Sequence, residues 1–185
     1  MEKHRFVLRS SFFVHRSSRF GDAVYPRSVP TDVPTLVFRE WGQDNGFRRK
    51  GTTLYRDQVE TIAVVNLQGS RYGGRYYVNV ALWLKAVGDD PAPKENKCHL
   101  RTRLAELRPG VASERDEVYL NLNSDVSDDE RRKRFRDVLD SSVTPALAQT
   151  ATLADLKANP SVLRRFLVNR DAYDLGLRGI GTSDK

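Results

Sequence analysis

The stretch VVNLQGSRYGGRYYVNV, residues 64–80, decides the fold, because it predicts two strands joined by a basic, glycine-rich turn. β-branched and aromatic residues on both sides of the turn favour strands. The turn is longer than a two-residue hairpin loop, and Gly73 and Gly74 can adopt the positive φ angles that it requires. Three amide side chains interrupt the strands: Asn66, Gln68 and Asn79. They belong either to a binding site or to the solvated face of a sheet.

Further strands are predicted on both sides of this hairpin. Residues 75–84 alternate, with Val78 and Val80 on one face and Asn79 and Trp83 on the other. The predicted strands are residues 52–56, 59–68, 75–84, 97–104 and 118–122. The second of these carries β-branched residues on both faces, which is typical of a central strand.

A helix is predicted before the strands. Val37 and Trp41 lie four residues apart and therefore share one helical face. Thr35 can cap the start of this helix, and Asn45 followed by Gly46 supplies a stop signal.

The C-terminal part is predicted to be helical. SDDE, residues 127–130, forms a capping box at a helix start. The charge run DDERRKRFRD, residues 128–137, follows, and its basic side chains are expected to spread over the exposed side. Pro145 is expected to end or kink the helix. Shorter helices are predicted near Thr152 and Pro160, and the second is expected to bury Leu163, Phe166 and Leu167.

The order helix, strands, helices indicates an α+β fold. We expect an antiparallel sheet of about four or five strands, with an N-terminal helix and C-terminal helices packed on one face. Residues 1–34 are rich in Arg and Ser and predict a poorly ordered basic extension; a targeting segment and a misassigned start codon are the alternatives. Residues 35–175 are predicted to form one domain, and residues 176–185 a flexible tail.

Composition limits the classes of function. The 185 residues carry a formal net charge of +7, which favours acidic partners but also serves solubility. Cys98 is the one cysteine, so a disulfide within the chain is excluded and a reducing cytoplasm is predicted. No apolar run approaches the roughly 20 residues that a membrane span needs, so no membrane partner is predicted.

Several blocks of sequence resemble the successive blocks of one known family. They are NGFRRKGTTLYR, VVNLQGSRYGGRYYVNVALWL, KENKCHLRTRLAEL and the capped helix that starts at Ser127. Over residues 36–173 this pattern is similar to domain-of-unknown-function family 4304, an uncharacterised and mostly bacterial family. The resemblance implies a small cytoplasmic α+β domain, and it implies no reaction, cofactor or catalytic residue.

The alternation predicts one polar face on the sheet, and this face is the candidate binding site. If the central strands share one orientation, the face presents amides, arginines, a histidine and aromatic rings, which suit planar or anionic groups. The predicted binding residues are Asn66, Gln68, Arg71, Tyr77, Asn79, Trp83, His99, Arg101 and Arg103. The alternative is that these residues form only the solvated face of a half-covered sheet.

No catalytic or metal-binding residue is assigned. His99 has no serine or cysteine partner at a recognisable spacing, and the acidic pairs are explained by a turn and a helix cap. The leading hypothesis is therefore a non-enzymatic module, without a cofactor, that recognises another protein, as immunity or accessory proteins do. Nucleic-acid binding through the basic and aromatic sheet face is the first alternative, and an enzyme with His99 in its site is the second.

Overall fold

The computed structural model describes residues 32–108 and 117–178, which belong to one compact unit, Thr31–Lys185. The predicted N-terminal extension lies outside the described residues except for residues 32–34. Of the predicted tail, residues 176–178 are described. Leu177 is fully buried, so the core extends beyond the predicted domain end at residue 175.

The first helix begins before Thr35, its predicted cap. Helix α1 spans Val33–Asp44, and the Asp32 carboxylate accepts a hydrogen bond from the Thr35 N–H at 3.0 Å. Asp32, not Thr35, is therefore the N-cap, and Pro34 occupies the first turn, where a backbone N–H has no helical partner.

The elements follow the predicted order of helix, strands and helices. The strands are β1 (Arg48–Lys50), β2 (Thr53–Asp57), β3 (Thr61–Gly69), β4 (Tyr76–Leu84), β5 (Leu100–Arg103) and β6 (Leu167–Val168). The remaining α-helices are α2 (Leu104–Leu107), α3 (Asp128–Val138), α4 (Thr144–Ala148), α5 (Leu153–Ala158), α6 (Pro160–Leu163) and α7 (Arg170–Asp174). The expected break near Pro145 is a π-helical turn, Leu139–Val143, between α3 and α4.

All six strands form one antiparallel sheet in the order β1-β2-β3-β4-β5-β6. The α+β class is thus confirmed, with slightly more strands than predicted. The additional strands are the basic run Arg48–Lys50 and the two-residue β6. Each forms an edge of the sheet, where short strands with charged neighbours are tolerated.

The helices pack on one face of the sheet and form the main core with it. Val78 and Val80 of β4 are buried there, as the alternation predicts, together with Trp41 of α1 and Phe135 of α3. The opposite face, called the second face below, carries the other residues of each strand.

The strand predicted at residues 118–122 is wrong. Val118–Leu120 forms a 3₁₀ turn in which Tyr119 is buried and Val118 is 36% exposed. A three-residue turn does not alternate, so the neighbours Tyr119 and Leu120 are both buried. The Arg131 guanidinium also holds this segment, because its Nη1 donates to the carbonyl oxygen of Tyr119 at 2.8 Å.

Two further expectations for the C-terminal part are corrected. Arg131 belongs to the charge run but is buried, because it donates hydrogen bonds to the backbone carbonyls of Tyr119, Asn121 and Val126. Leu167 was expected in the core at the end of a helix. Since α6 ends at Leu163 and the chain then pairs with β5, Leu167 lies on the second face and is 54% exposed.

Candidate binding face

The second face has two halves that differ in polarity. The covered half is apolar and consists of Tyr55, Ile62, Val64, Ala81 and Cys98. The open half is polar and consists of Asn66, Gln68, Tyr77, Asn79, Arg101 and Arg103, in register across β3, β4 and β5. The described helices pack on the opposite face, so the open half is the candidate site.

Residues 88–97, called the covering segment below, close the covered half. The Trp83 indole Nε1 donates to the carbonyl of Gly88 at 2.9 Å, and Arg48 Nη2 donates to that of Pro91 at 2.7 Å. Arg48 also lies over the Tyr55 ring, 5.1 Å from its centroid. These contacts fix the segment to β4 and to β1.

His99 and Trp83 belong to this covered part and not to the open half. His99 is 3% exposed, its ring contacts that of Trp83, and its Nδ1 accepts a hydrogen bond from the Leu84 N–H at 2.9 Å. Burial lowers the pKa of His99, and Asp171 opposes this effect. The ring of His99 is therefore enclosed, and His99 does not line the open half where it was predicted to bind a ligand.

The three amides of the opening hairpin lie on the second face and bind one another or the neighbouring strand. Asn79 Nδ2 donates to Gln68 Oε1 at 2.9 Å, and Asn66 Nδ2 donates to Thr53 Oγ1 at 2.9 Å. Asn79 is buried, whereas Gln68 is exposed. Gln68 is thus the amide that is accessible from solvent, and the hydrogen bond from Asn79 orients it.

Arg101 and Arg103 of β5 lie beside β4 and complete the open half on that flank. Arg101 Nε donates to Glu95 Oε1 of the covering segment at 2.9 Å. The Arg103 guanidinium lies over the Tyr77 ring, 5.3 Å from its centroid, and Arg75 approaches the same ring at 5.9 Å. Tyr77 therefore positions guanidinium groups, which replaces the predicted role of an open stacking surface.

Two clefts lie on the open half. One has a volume of about 510 Å³ and extends to the β6 edge of the sheet. It is lined by Gln68, Asn79, Glu95, Arg101, Thr102, Arg103, Glu106, Arg165 and Leu167. The other has a volume of about 470 Å³ and extends to β2. It is lined by Thr53, Tyr55, Asn66, Gln68, Lys94, Glu95, Asn96 and Arg101.

Arg71 is not part of these clefts. It lies in the turn between β3 and β4 beside Tyr72, which is 90% exposed. The Leu122 N–H holds this turn in place by donating a hydrogen bond to the Gly74 carbonyl at 2.6 Å. Arg71 and Tyr72 thus form a separate projection of the hairpin.

Sequence reasoning missed five residues that line the larger cleft: Glu95, Thr102, Glu106, Arg165 and Leu167. Glu95 lies six residues before Arg101, and a loop that folds back over the sheet brings the two together. Arg165 is fixed by Nη1, which donates to the Leu107 carbonyl at 2.6 Å. The one signal in the sequence for this pairing was Glu95 itself, an acidic residue six positions before Arg101 of the basic strand β5.

The chemistry available here is hydrogen bonding and charge pairing. Among residues 32–108 and 117–178, no group of three or more His, Cys, Asp or Glu side chains is placed to hold a metal ion. Within the same ranges, no helix has the length and apolar character needed to cross a membrane.

Comparisons with known proteins bear on the family alone. Neither the curated proteins nor the solved structures give a match. A family model described as a domain of unknown function, DUF4304, matches residues 43–149, more than half of the chain and within the region of resemblance. The match extends from the end of α1 through the sheet strands β1 to β5 and α4. The chain therefore belongs to the DUF4304 family.

Proposed function

We propose that this protein is a non-enzymatic binding module that recognises a partner protein through the open half of its second face. The observation that carries the proposal is the convergence of Gln68, Arg101 and Arg103 on a sheet face opposite the helices. Arginine forks and amides are the groups that bind carboxylates and backbone amides of another chain.

The composition of the larger cleft favours a protein over a nucleic acid. Three arginines are accompanied by two glutamates, and the apolar side chain of Leu167 lies at its edge, 54% exposed. A protein surface offers both signs of charge and apolar contacts, as protein interfaces commonly do.

Affinity capture from the native host, after nuclease treatment, tests this proposal. We expect the wild-type domain to retain a discrete protein, and we expect Arg101→Glu/Arg103→Glu to reduce its capture by about tenfold or more, the effect of losing a hot-spot arginine. Arg39→Glu/Lys133→Glu is the matched control. It makes the same change of charge at exposed positions of α1 and α3. Equal capture by both double variants would refute the proposal.

Nucleic-acid binding is the second candidate, and the charge distribution favours it. Residues 32–108 contain 13 Lys and Arg against 9 Asp and Glu, whereas residues 117–178 contain 10 of each. The hairpin also projects Arg71 and Tyr72. A labelled single-stranded oligonucleotide tests this candidate, because its binding should weaken steeply between about 50 and 200 mM salt.

Removal of residues 1–30 separates the domain from the chain before it. These residues carry 6 Lys and Arg against 2 Asp and Glu. The cut leaves the Asp32 cap of α1 intact, which a cut at residue 34 would not. Loss of oligonucleotide binding on this truncation would assign the binding to residues 1–30 and not to the sheet. We further propose that the protein acts in the cytoplasm, which its single cysteine supports.

A further inference from the structure

The ion pair between Arg101 and Glu95 lies at the boundary of the two clefts. Arg101 Nε and Glu95 Oε1 are 2.9 Å apart. The clefts share three lining residues, Gln68, Glu95 and Arg101. Separation of this pair would therefore join the two clefts into one groove across the open half.

Glu95 comes from the covering segment and not from the sheet. It starts the 3₁₀ turn Glu95–Lys97, which lies against β3 and β4. Its carboxylate accepts a hydrogen bond from Arg101, as the carboxylate of a bound ligand would. The side chain of Arg101 is 42% exposed and that of Glu95 15%, so a competing carboxylate can reach the arginine from solvent. The exchange keeps Arg101 paired with a carboxylate and returns Glu95 to water, so its net cost is low.

The joined groove has the dimensions of an extended peptide. It extends from Thr53 on β2 to Leu167 on β6, which are separated by four strand spacings. Four spacings amount to about 19 Å. An extended chain covers this distance with about six residues.

The charges that line the groove favour an acidic occupant. The basic lining residues are Lys94, Arg101, Arg103 and Arg165, and the acidic ones are Glu95 and Glu106. Displacement of Glu95 from Arg101 leaves an excess of basic groups around the centre of the groove. A carboxylate-bearing segment matches this excess, and backbone amides of the same segment match the Gln68 side chain.

We propose that the groove binds an extended acidic segment of a partner protein, one carboxylate of which replaces Glu95 on Arg101. Glu95 then acts as an internal competitor that occupies the arginine until the segment arrives. This inference rests on the proposed function and names the chemistry of the partner.

A labelled hexaglutamate peptide is the probe, and fluorescence anisotropy at low salt is the measurement. Glu95→Gln removes the competitor while keeping its shape. Glu106→Gln is the matched control, because it removes the same charge from the larger cleft without releasing Arg101. Arg101→Gln removes the receiving group. Thermal unfolding of each variant confirms that the domain is folded.

We expect Glu95→Gln to bind hexaglutamate about two- to fivefold more tightly than the wild type, the range set by an exposed ion pair. Glu106→Gln should give a smaller gain. Arg101→Gln should weaken binding by about tenfold or more. If Glu95→Gln does not fold, Glu95→Asp, whose shorter side chain withdraws from Arg101, should give the same direction of change.

Equal gains in Glu95→Gln and Glu106→Gln would overturn the proposal, because general electrostatics would then explain both. Absence of hexaglutamate binding would also overturn it, as would tighter binding of an oligothymidylate of the same charge. The proposed function is tested separately, since capture of a protein that depends on Arg101 and Arg103 would stand even if hexaglutamate does not bind.

Discussion

Trp83 and His99 lie directly opposite each other across β4 and the residue that precedes β5, with ring centroids 4.2 Å apart. The His99 Nδ1 accepts a hydrogen bond from the Leu84 N–H, so the neutral ring carries its proton on Nε2. The arrangement needs an uncharged imidazole, because protonation at Nδ1 would remove the acceptor.

We therefore expect stability to fall in mild acid. Burial holds the pKa of folded His99 below its ordinary value, so between that value, about 6.5, and the folded pKa the unfolded chain binds the additional proton. The contribution of His99 is complete above about pH 6.5 and is lost as the pH falls through the folded pKa. Urea unfolding of the wild type and of His99→Gln measures it, and the variant should depend less on pH in this range. An NMR titration that places the pKa of His99 at or above 6.5 would contradict the prediction.

The hairpin turn depends on the positive φ angles of Gly73 and Gly74. A Cβ at Gly74 would overlap the Asn123 side chain, whereas nothing lies near a Cβ at Gly73. Gly73→Ala should cost about 1–2 kcal/mol of unfolding free energy from backbone strain alone. Gly74→Ala should cost a similar amount, because the side chain of Asn123 is exposed and can turn away. Chemical denaturation measures both, and a much larger loss in Gly74→Ala would show that Asn123 is held in place.

The buried Arg131 should contribute more to stability than its exposed neighbours. Its guanidinium donates to the carbonyls of Tyr119 and Asn121 at 2.8 Å and to that of Val126 at 3.1 Å. Arg131→Met leaves these acceptors without their donor and should reduce the unfolding free energy by about 3 kcal/mol or more. Arg134→Met is the control, since it removes an exposed pair with Glu130 that is worth at most about 0.5 kcal/mol. Similar losses in thermal unfolding would contradict this account.

Cys98 should react slowly with thiol reagents while the domain is folded. It is buried under the covering segment, and burial, assisted by the nearby Glu95 carboxylate, raises the pKa of its thiol to about 12. The thiolate is the reactive form, so labelling near pH 8 should require opening of the segment. Because the chain has one cysteine, the labelling rate in native buffer and in urea reports directly on this opening. Equal rates in the two conditions would show that Cys98 is exposed.

The alternation along β4 was sufficient to predict the sheet and its two faces. Val78 and Val80 are buried in the main core, and Tyr77 and Asn79 lie on the opposite side. Such a pattern is reliable where one face is buried, since a shift by one residue would expose the whole apolar set. For the same reason, Arg101 and Arg103 could be placed on the second face from the sequence.

For residues 118–120, Glu95 and His99, tertiary contacts and not the local sequence pattern determine the conformation. The apolar pattern around Leu120 fits a strand and a short turn equally well, and Arg131 from a distant helix stabilises the turn. The position of Glu95 depends on how residues 88–97 fold over the sheet, which no local periodicity encodes. His99 has the same side-chain orientation as Arg101, and only the contacts with Trp83 and Leu84 show that it is enclosed.

The sequential order of the strands has a consequence for assembly during folding. Strands β1 to β5 pair with their chain neighbours, so each hairpin closes over a modest length of chain. Between β5 and β6 the chain passes through all helices from α2 to α6, and this connection has the largest loop-closure entropy in the sheet. We therefore expect Leu167 to join the sheet late in folding. A nascent chain on the ribosome that ends before Leu167 would have a sheet without β6, and its groove would lack the residue that lines that edge.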